Sequence, residues 1–161
     1  MNLILQPSQF NQIYLYFLEK KSNMIIDGFF SKLLYSTKHF TTTGLFIDCL
    51  FQEQTIKKNG ISTFELDINK NEDIISSLIE IEKQILLTYI QQFQISNKMM
   101  VQDIENKFKS GIIKYYSSSI YNKTTNYKPS YNINYYIKIS GIWETDHQIG
   151  LTYKIIEYQS K

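Results

Sequence analysis

The sequence predicts a mostly β domain with helices (α+β): three strands, a helical segment and two further strands, closed into a five-stranded barrel. Three observations predict it. Apolar residues alternate with polar ones in the first half and again near the end, the two-residue period of strands with one buried face. The middle of the chain instead repeats apolar residues at three- and four-residue steps, as a one-sided helix does. Finally, Asn59-Gly60 lies between two alternating runs, and such a pair marks a tight hairpin because both residues tolerate positive φ. At 161 residues the chain makes one domain, read as 1–161.

The first predicted strand covers Phe29 to Ser36, while residues 9–20 fit strand or helix equally. Leu45, Ile47, Cys49 and Phe51 form the buried side of the next, and Phe64, Leu66 and Ile68 that of the third, across the Asn-Gly turn. Asn71 is the expected cap of a helix, with Glu72 and Asp73 in its first turn where they complement the helix dipole. Its buried stripe is Ile74, Leu78, Ile81, Ile85, Tyr89 and Phe93. A shorter helix is expected after Ser96, on Val101, Ile104, Phe108 and Ile112. The polar, tyrosine-rich stretch at about 117–132 reads as a loop, mobile when free.

Ile133, Tyr135, Ile137 and Ile139 then share one face of a strand, with Tyr136 and Lys138 on the other. Gly141 marks a candidate bulge, which would decide whether Trp143 points inward or outward. The last strand buries Leu151, Tyr153 and Ile155, and parity places Tyr135 and Tyr153 in the core. Three strands, a helical insertion between strands 3 and 4, and two more strands is the order of the oligonucleotide-binding (OB) barrel.

The 17 lysines, 13 tyrosines and absence of arginine and alanine are what AT-rich coding produces, so position carries more meaning than totals. The N-terminus lacks a secretory pattern, and no apolar run reaches the roughly 18–20 residues of a membrane span. No membrane partner is therefore expected. Cys49 stands alone, which excludes an internal disulfide and fits a reducing, cytoplasmic setting.

Enzyme signatures are sparse, and no catalytic residue, metal or cofactor is expected. His39, His147 and Cys49 lack zinc-site spacing, and the six glycines form no phosphate loop. A Cys49–His39 nucleophile pair is outweighed by the apolar setting of Cys49. A metal-dependent nuclease on Asp48, Glu65 and Asp67 is a second, equally remote enzymatic alternative.

Charge distribution is the informative feature. Between Glu105 and Glu144 there is no acidic residue, yet the interval is dense in lysine and tyrosine; a second acid-free window runs from Gly28 to Ile47. Ammonium groups neutralise phosphates, and flat rings offer stacking platforms to unpaired bases. Lys32, Lys38, Lys123, Lys128, Lys138 and Lys154 are the candidate phosphate contacts. Phe40, Phe46, Tyr121, Tyr127, Tyr131, Tyr136 and Trp143 are the candidate stacking rings. Without arginine the chain lacks the forked contact to guanine that dominates specific duplex reading. Non-specific binding of single-stranded nucleic acid follows. The competing readings are tyrosines that fill the core beneath solvating lysines, a structural or assembly protein that uses the rings for protein contacts, and an RNA-binding module.

Two stretches resemble a known family. They are Ile26-Asp27-Gly28-Phe29-Phe30-Ser31-Lys32-Leu33-Leu34-Tyr35-Ser36, continuing through Phe40-Thr41 to Gly44-Leu45-Phe46-Ile47, and Ile137-Lys138-Ile139-Ser140-Gly141-Ile142-Trp143-Glu144 with Ile149-Gly150-Leu151-Thr152-Tyr153-Lys154-Ile155. Together they are similar to the phage-type single-stranded DNA-binding proteins and their relatives in large cytoplasmic DNA viruses, and similar proteins are expected on linear DNA plasmids. The resemblance implies an OB fold, coating of displaced strands during DNA replication, and contacts with the replication polymerase or other replication proteins. It is compatible with an oligomer. Proteins of that kind end in an acidic tail, whereas this sequence ends Ile156-Glu157-Tyr158-Gln159-Ser160-Lys161, so recruitment through a tail is not expected.

Overall fold

The computed structural model describes residues 3–52, 54–59, 61–117 and 133–159. Short 3-10 turns at Pro7–Gln9 and Gln12–Tyr14 lead into β1 (Leu15–Phe17) and β2 (Lys21–Ser22). There follow β3 (Phe29–Ser36), β4 (Thr41–Thr43), β5 (Leu45–Asp48), β6 (Gln54–Asn59) and β7 (Ile61–Leu66). A 3-10 turn at Asn69–Asn71 opens α1 (Glu72–Phe93), and β8 (Met99–Val101), α2 (Asp103–Ser110), β9 (Ile112–Lys114) and β10 (Tyr116–Ser117) complete the middle. The long strands β11 (Ile133–Glu144) and β12 (Gln148–Gln159) close the described chain. The fold is mixed α+β, mostly strands with two helices. The described residues hold twelve strand segments in a nine-stranded and a three-stranded sheet, more pieces than the five strands expected. The extra pieces are segments outside the five expected strands: β1, β2, β4, β6, β8, β9 and β10.

The larger sheet is built on the β11–β12 ladder and curls at one point. Ile139 pairs with Tyr153 and Gly141 with Thr152, so Ser140 is the extra residue of a bulge. Before the bulge β11 pairs with β5, and after it with β3. β4 and β5 enter as a wedge between the two, β4 on β3 and β5 on β11. Gly141 allows the approach: a Cβ there would lie 2.2 Å from the Ser31 carbonyl oxygen.

The inner face of this sheet carries Leu33, Tyr35, Leu45, Ile47, Tyr135, Ile137, Ile139 and Ile142, all buried, and α1 packs its own stripe among them. Leu78, Ile81, Ile85 and Tyr89 are buried as the spacing predicts, with Ile74 and Phe93 half-buried. Parity also places Tyr135 correctly, while Tyr153 is half-buried with its hydroxyl donating to Asp103 at 2.9 Å. From α1 the Gln92 amide reaches β1, accepting from Phe17 N at 3.2 Å and donating to Phe17 O at 2.8 Å. The smaller sheet contributes Phe64, whose ring lies 4.4 Å from that of Tyr135.

Two expectations change. Asn71 precedes α1 but makes no capping bond; its buried amide accepts from Gln52 N and donates to the carbonyls of Gln52 and Asp67. The buried amide is satisfied by these three backbone groups instead of by the helix end. The second helix is also shorter than its apolar spacing, since Val101 falls in β8 and Ile112 in β9. Gly111, at φ +71°, ends it.

The start of α2 is capped from another helix. The buried Glu82 carboxylate on α1 accepts from Ile104 N at 3.0 Å and Glu105 N at 3.2 Å. Burial pushes this carboxyl up to about 7; the two amides oppose the rise and the Asp103 carboxylate adds to it. A raised acid stabilises the fold fully below its unfolded pKa and loses that contribution as pH climbs through the folded one. The stability gap between the parent protein and Glu82→Gln is therefore expected to narrow by about 3 kcal/mol from pH 4 to pH 8. Urea melts across that range check it.

Candidate nucleic-acid interface

Pairing register decides which side chains share a face, because directly opposed residues project to the same side. Lys138 lies between Phe46 on β5 and Lys154 on β12. Trp143 lies between Phe30 on β3 and Gly150 on β12. Along the unbulged β12, Gly150 and Lys154 are four residues apart and so face the same way. The bulge therefore turns Trp143 outward, onto the face of Tyr136, Lys138 and Lys154; an unbroken strand would have aimed it at the core. Gly150 accommodates it, since a Cβ there would come within 2.4 Å of the indole Cζ2.

Six of the sequence-predicted residues occupy this outer face: Lys32, opposite Gly141, together with Phe46, Tyr136, Lys138, Trp143 and Lys154. Their surroundings differ. Trp143, Tyr136 and Lys138 are half-buried, and Lys32 and Lys154 are exposed. Phe46 is only 4% exposed, its ring beside Tyr136 and beneath the Lys138 ammonium, so it offers no open face for stacking. Burial raises the Tyr136 phenol above its usual range, and it stays a protonated donor.

The other predicted residues divide in two. Phe40 stacks on Tyr35, an inner-face ring, at a 6.3 Å centroid separation, and so does not join this surface. Lys38 stands exposed on the turn between β3 and β4. Tyr121, Lys123, Tyr127, Lys128 and Tyr131, and with them the predicted loop, lie outside the described residues.

The face also holds residues that were not singled out. Phe30 precedes Lys32 by two in β3, and Tyr116 on β10 pairs with Ile156. Tyr158 continues the Lys154–Ile156 parity, its ring 5.7 Å from that of Tyr136. The alternation that placed Lys154 outward carries on to Tyr158, and that was the signal available for it. From Gly150 to Tyr158 the face extends about 26 Å along β12.

Carboxylates are not wholly excluded. Asp48 faces outward on β5, opposite Tyr136, and accepts from the Tyr158 hydroxyl at 3.3 Å and from Leu50 N at 3.3 Å. Burial, and then the Asp48 charge, hold the Tyr158 phenol up. No ion pair to Lys32, Lys138 or Lys154 forms among the described residues.

Cys49 is fully buried, and burial pushes its thiol well above the usual range, with Asp48 adding to the rise. Among the described residues no three His, Cys, Asp or Glu side chains gather as a metal site. No helix among them is long and apolar enough to cross a membrane.

No known protein family, curated protein or solved structure matches this chain.

Proposed function

We propose that this protein binds single-stranded DNA without sequence preference, through the outer face of an OB-like barrel formed by the curled sheet. It carries out no chemistry; it coats displaced strands during DNA replication in the cytoplasm, alongside the polymerase and other replication proteins. One observation carries the reading. The bulge at Ser140–Gly141 brings Trp143 to the same face as Tyr136, Lys138 and Lys154, a register in which rings and ammonium groups alternate. Rings stack on any base, and ammonium groups meet any phosphate, so such a surface tolerates every sequence.

Trp143 is the sole tryptophan and reports binding directly. Titration with oligo-dT is expected to change its emission saturably. The logarithm of the association constant should fall with log salt by about 0.7 per phosphate neutralised. A folded sample whose emission and mobility ignore oligo-dT in dilute buffer would end the proposal, and preference for oligo-rU in competition would move it to RNA.

A second reading, an assembly protein, is favoured by Met24 and Ile25, which are 98% and 93% exposed between β2 and β3. It requires self-association without DNA and little dependence on salt.

A further inference from the structure

Lys138 and Lys154 are direct cross-strand partners on β11 and β12. Like charges placed opposite each other on a sheet destabilise it, since their Cβ atoms are only about 4.5–5.5 Å apart. No carboxylate pairs with either among the described residues. Each ammonium instead rests on a ring to its own side: Lys138 Nζ lies 5.6 Å from the Phe46 centroid, and Lys154 Nζ 5.1 Å from that of Tyr116. The two stems start side by side and splay apart, each ammonium toward its own ring.

We infer that Lys138 and Lys154 form a two-pronged clamp for a single phosphate, closing from both sides on one backbone phosphodiester. The inference rests on the single-strand reading above, and deepens it by assigning two of its cations to one site. A phosphate above the ladder is within reach of both stems. It turns their repulsion into a shared attraction, and draws each ammonium off its resting ring.

The two arrangements differ in salt dependence and additivity. Lys138→Met and Lys154→Met keep the apolar stems and remove the charges. Oligo-dT affinity is to be measured across a salt series for the parent, each single variant and the double variant, with circular dichroism confirming the fold. A shared phosphate predicts that the double variant loses about 0.7 from the salt slope, one phosphate's worth. It also predicts that the double variant's loss of affinity falls well short of the product of the single losses. If the parent binds and the double variant instead loses about 1.4 with multiplying factors, the lysines hold separate phosphates and the clamp is overturned. Unchanged binding by the variants overturns it equally, leaving the single-strand reading intact. A parent that ignores oligo-dT refutes that reading itself. In a parallel arm, inorganic pyrophosphate that binds the parent more tightly than oligo-dT, and not the double variant, would assign the clamp to a free phosphate ligand and overturn the phosphodiester assignment.

Discussion

Replacing Gly141 with alanine is expected to lower stability by about 3 kcal/mol, the upper range for an overpacked interior. The added Cβ would sit 2.2 Å from the Ser31 carbonyl oxygen and 2.7 Å from the Phe30 ring. A ring can turn aside, but Ser31 is fully buried backbone in the middle of β3 and has no room to yield. The strain therefore falls on the pairing of Gly141 with Lys32 and of Ile142 with Ser31. Chemical denaturation should give a lower midpoint with an unchanged m-value. Because the bulge also aims Trp143, the variant's native emission should shift, and oligo-dT should quench it less. A variant as stable as its parent, with unaltered emission, would show that the bulge does not depend on this glycine.

The second large effect is expected at Glu144. Its carboxylate is 3% exposed and gathers Lys98 at 2.6 Å, Lys20 at 2.7 Å and the Tyr89 hydroxyl at 2.7 Å; that hydroxyl in turn lies 3.2 Å from the Ser31 hydroxyl. Burial alone would raise this carboxyl, but the bonds from Lys20, Lys98 and Tyr89 outweigh it and hold the group below its usual range. Glu144→Ala strands two ammonium groups and a phenol. Both lysines reach partly into solvent, at 27% and 20% exposure, which places the expected loss near the low end of a broken buried pair, about 3 kcal/mol. For a domain of this size that is about 6–12 °C in melting temperature. A depressed acid stabilises above its unfolded pKa and loses that contribution as pH falls through the folded one. The deficit of the variant should therefore shrink on acidification below about pH 4.5, the opposite sense to Glu82→Gln. A deficit that stays constant with pH would place the damage in packing rather than in charge.

Alternation made much of this legible. Phe29–Ser36 forms as predicted, α1 begins one residue past Asn71, and the outward parity of Tyr136, Lys138 and Lys154 follows from their inward neighbours. The bulge was foreseeable as a position, because Gly141 interrupts a strand; its consequence for Trp143 depended on the neighbouring strands. Phe46 lies on the expected side of the sheet but under Tyr136 and Lys138, because parity gives the side of a sheet and not what lies over it. Phe40 is a turn residue without parity, and its ring follows Tyr35 inward. The cap on α2 comes from Glu82, more than twenty residues earlier in the chain, and no local pattern could reveal it.

The Gln92 amide has a wider consequence. By bonding both backbone groups of Phe17, it occupies hydrogen-bonding positions that would otherwise remain vacant along the margin of β1. Exposed margins of that kind invite polymerisation, as one chain docks its own strand onto the next. A single side chain from α1 closes this margin of β1 against such docking.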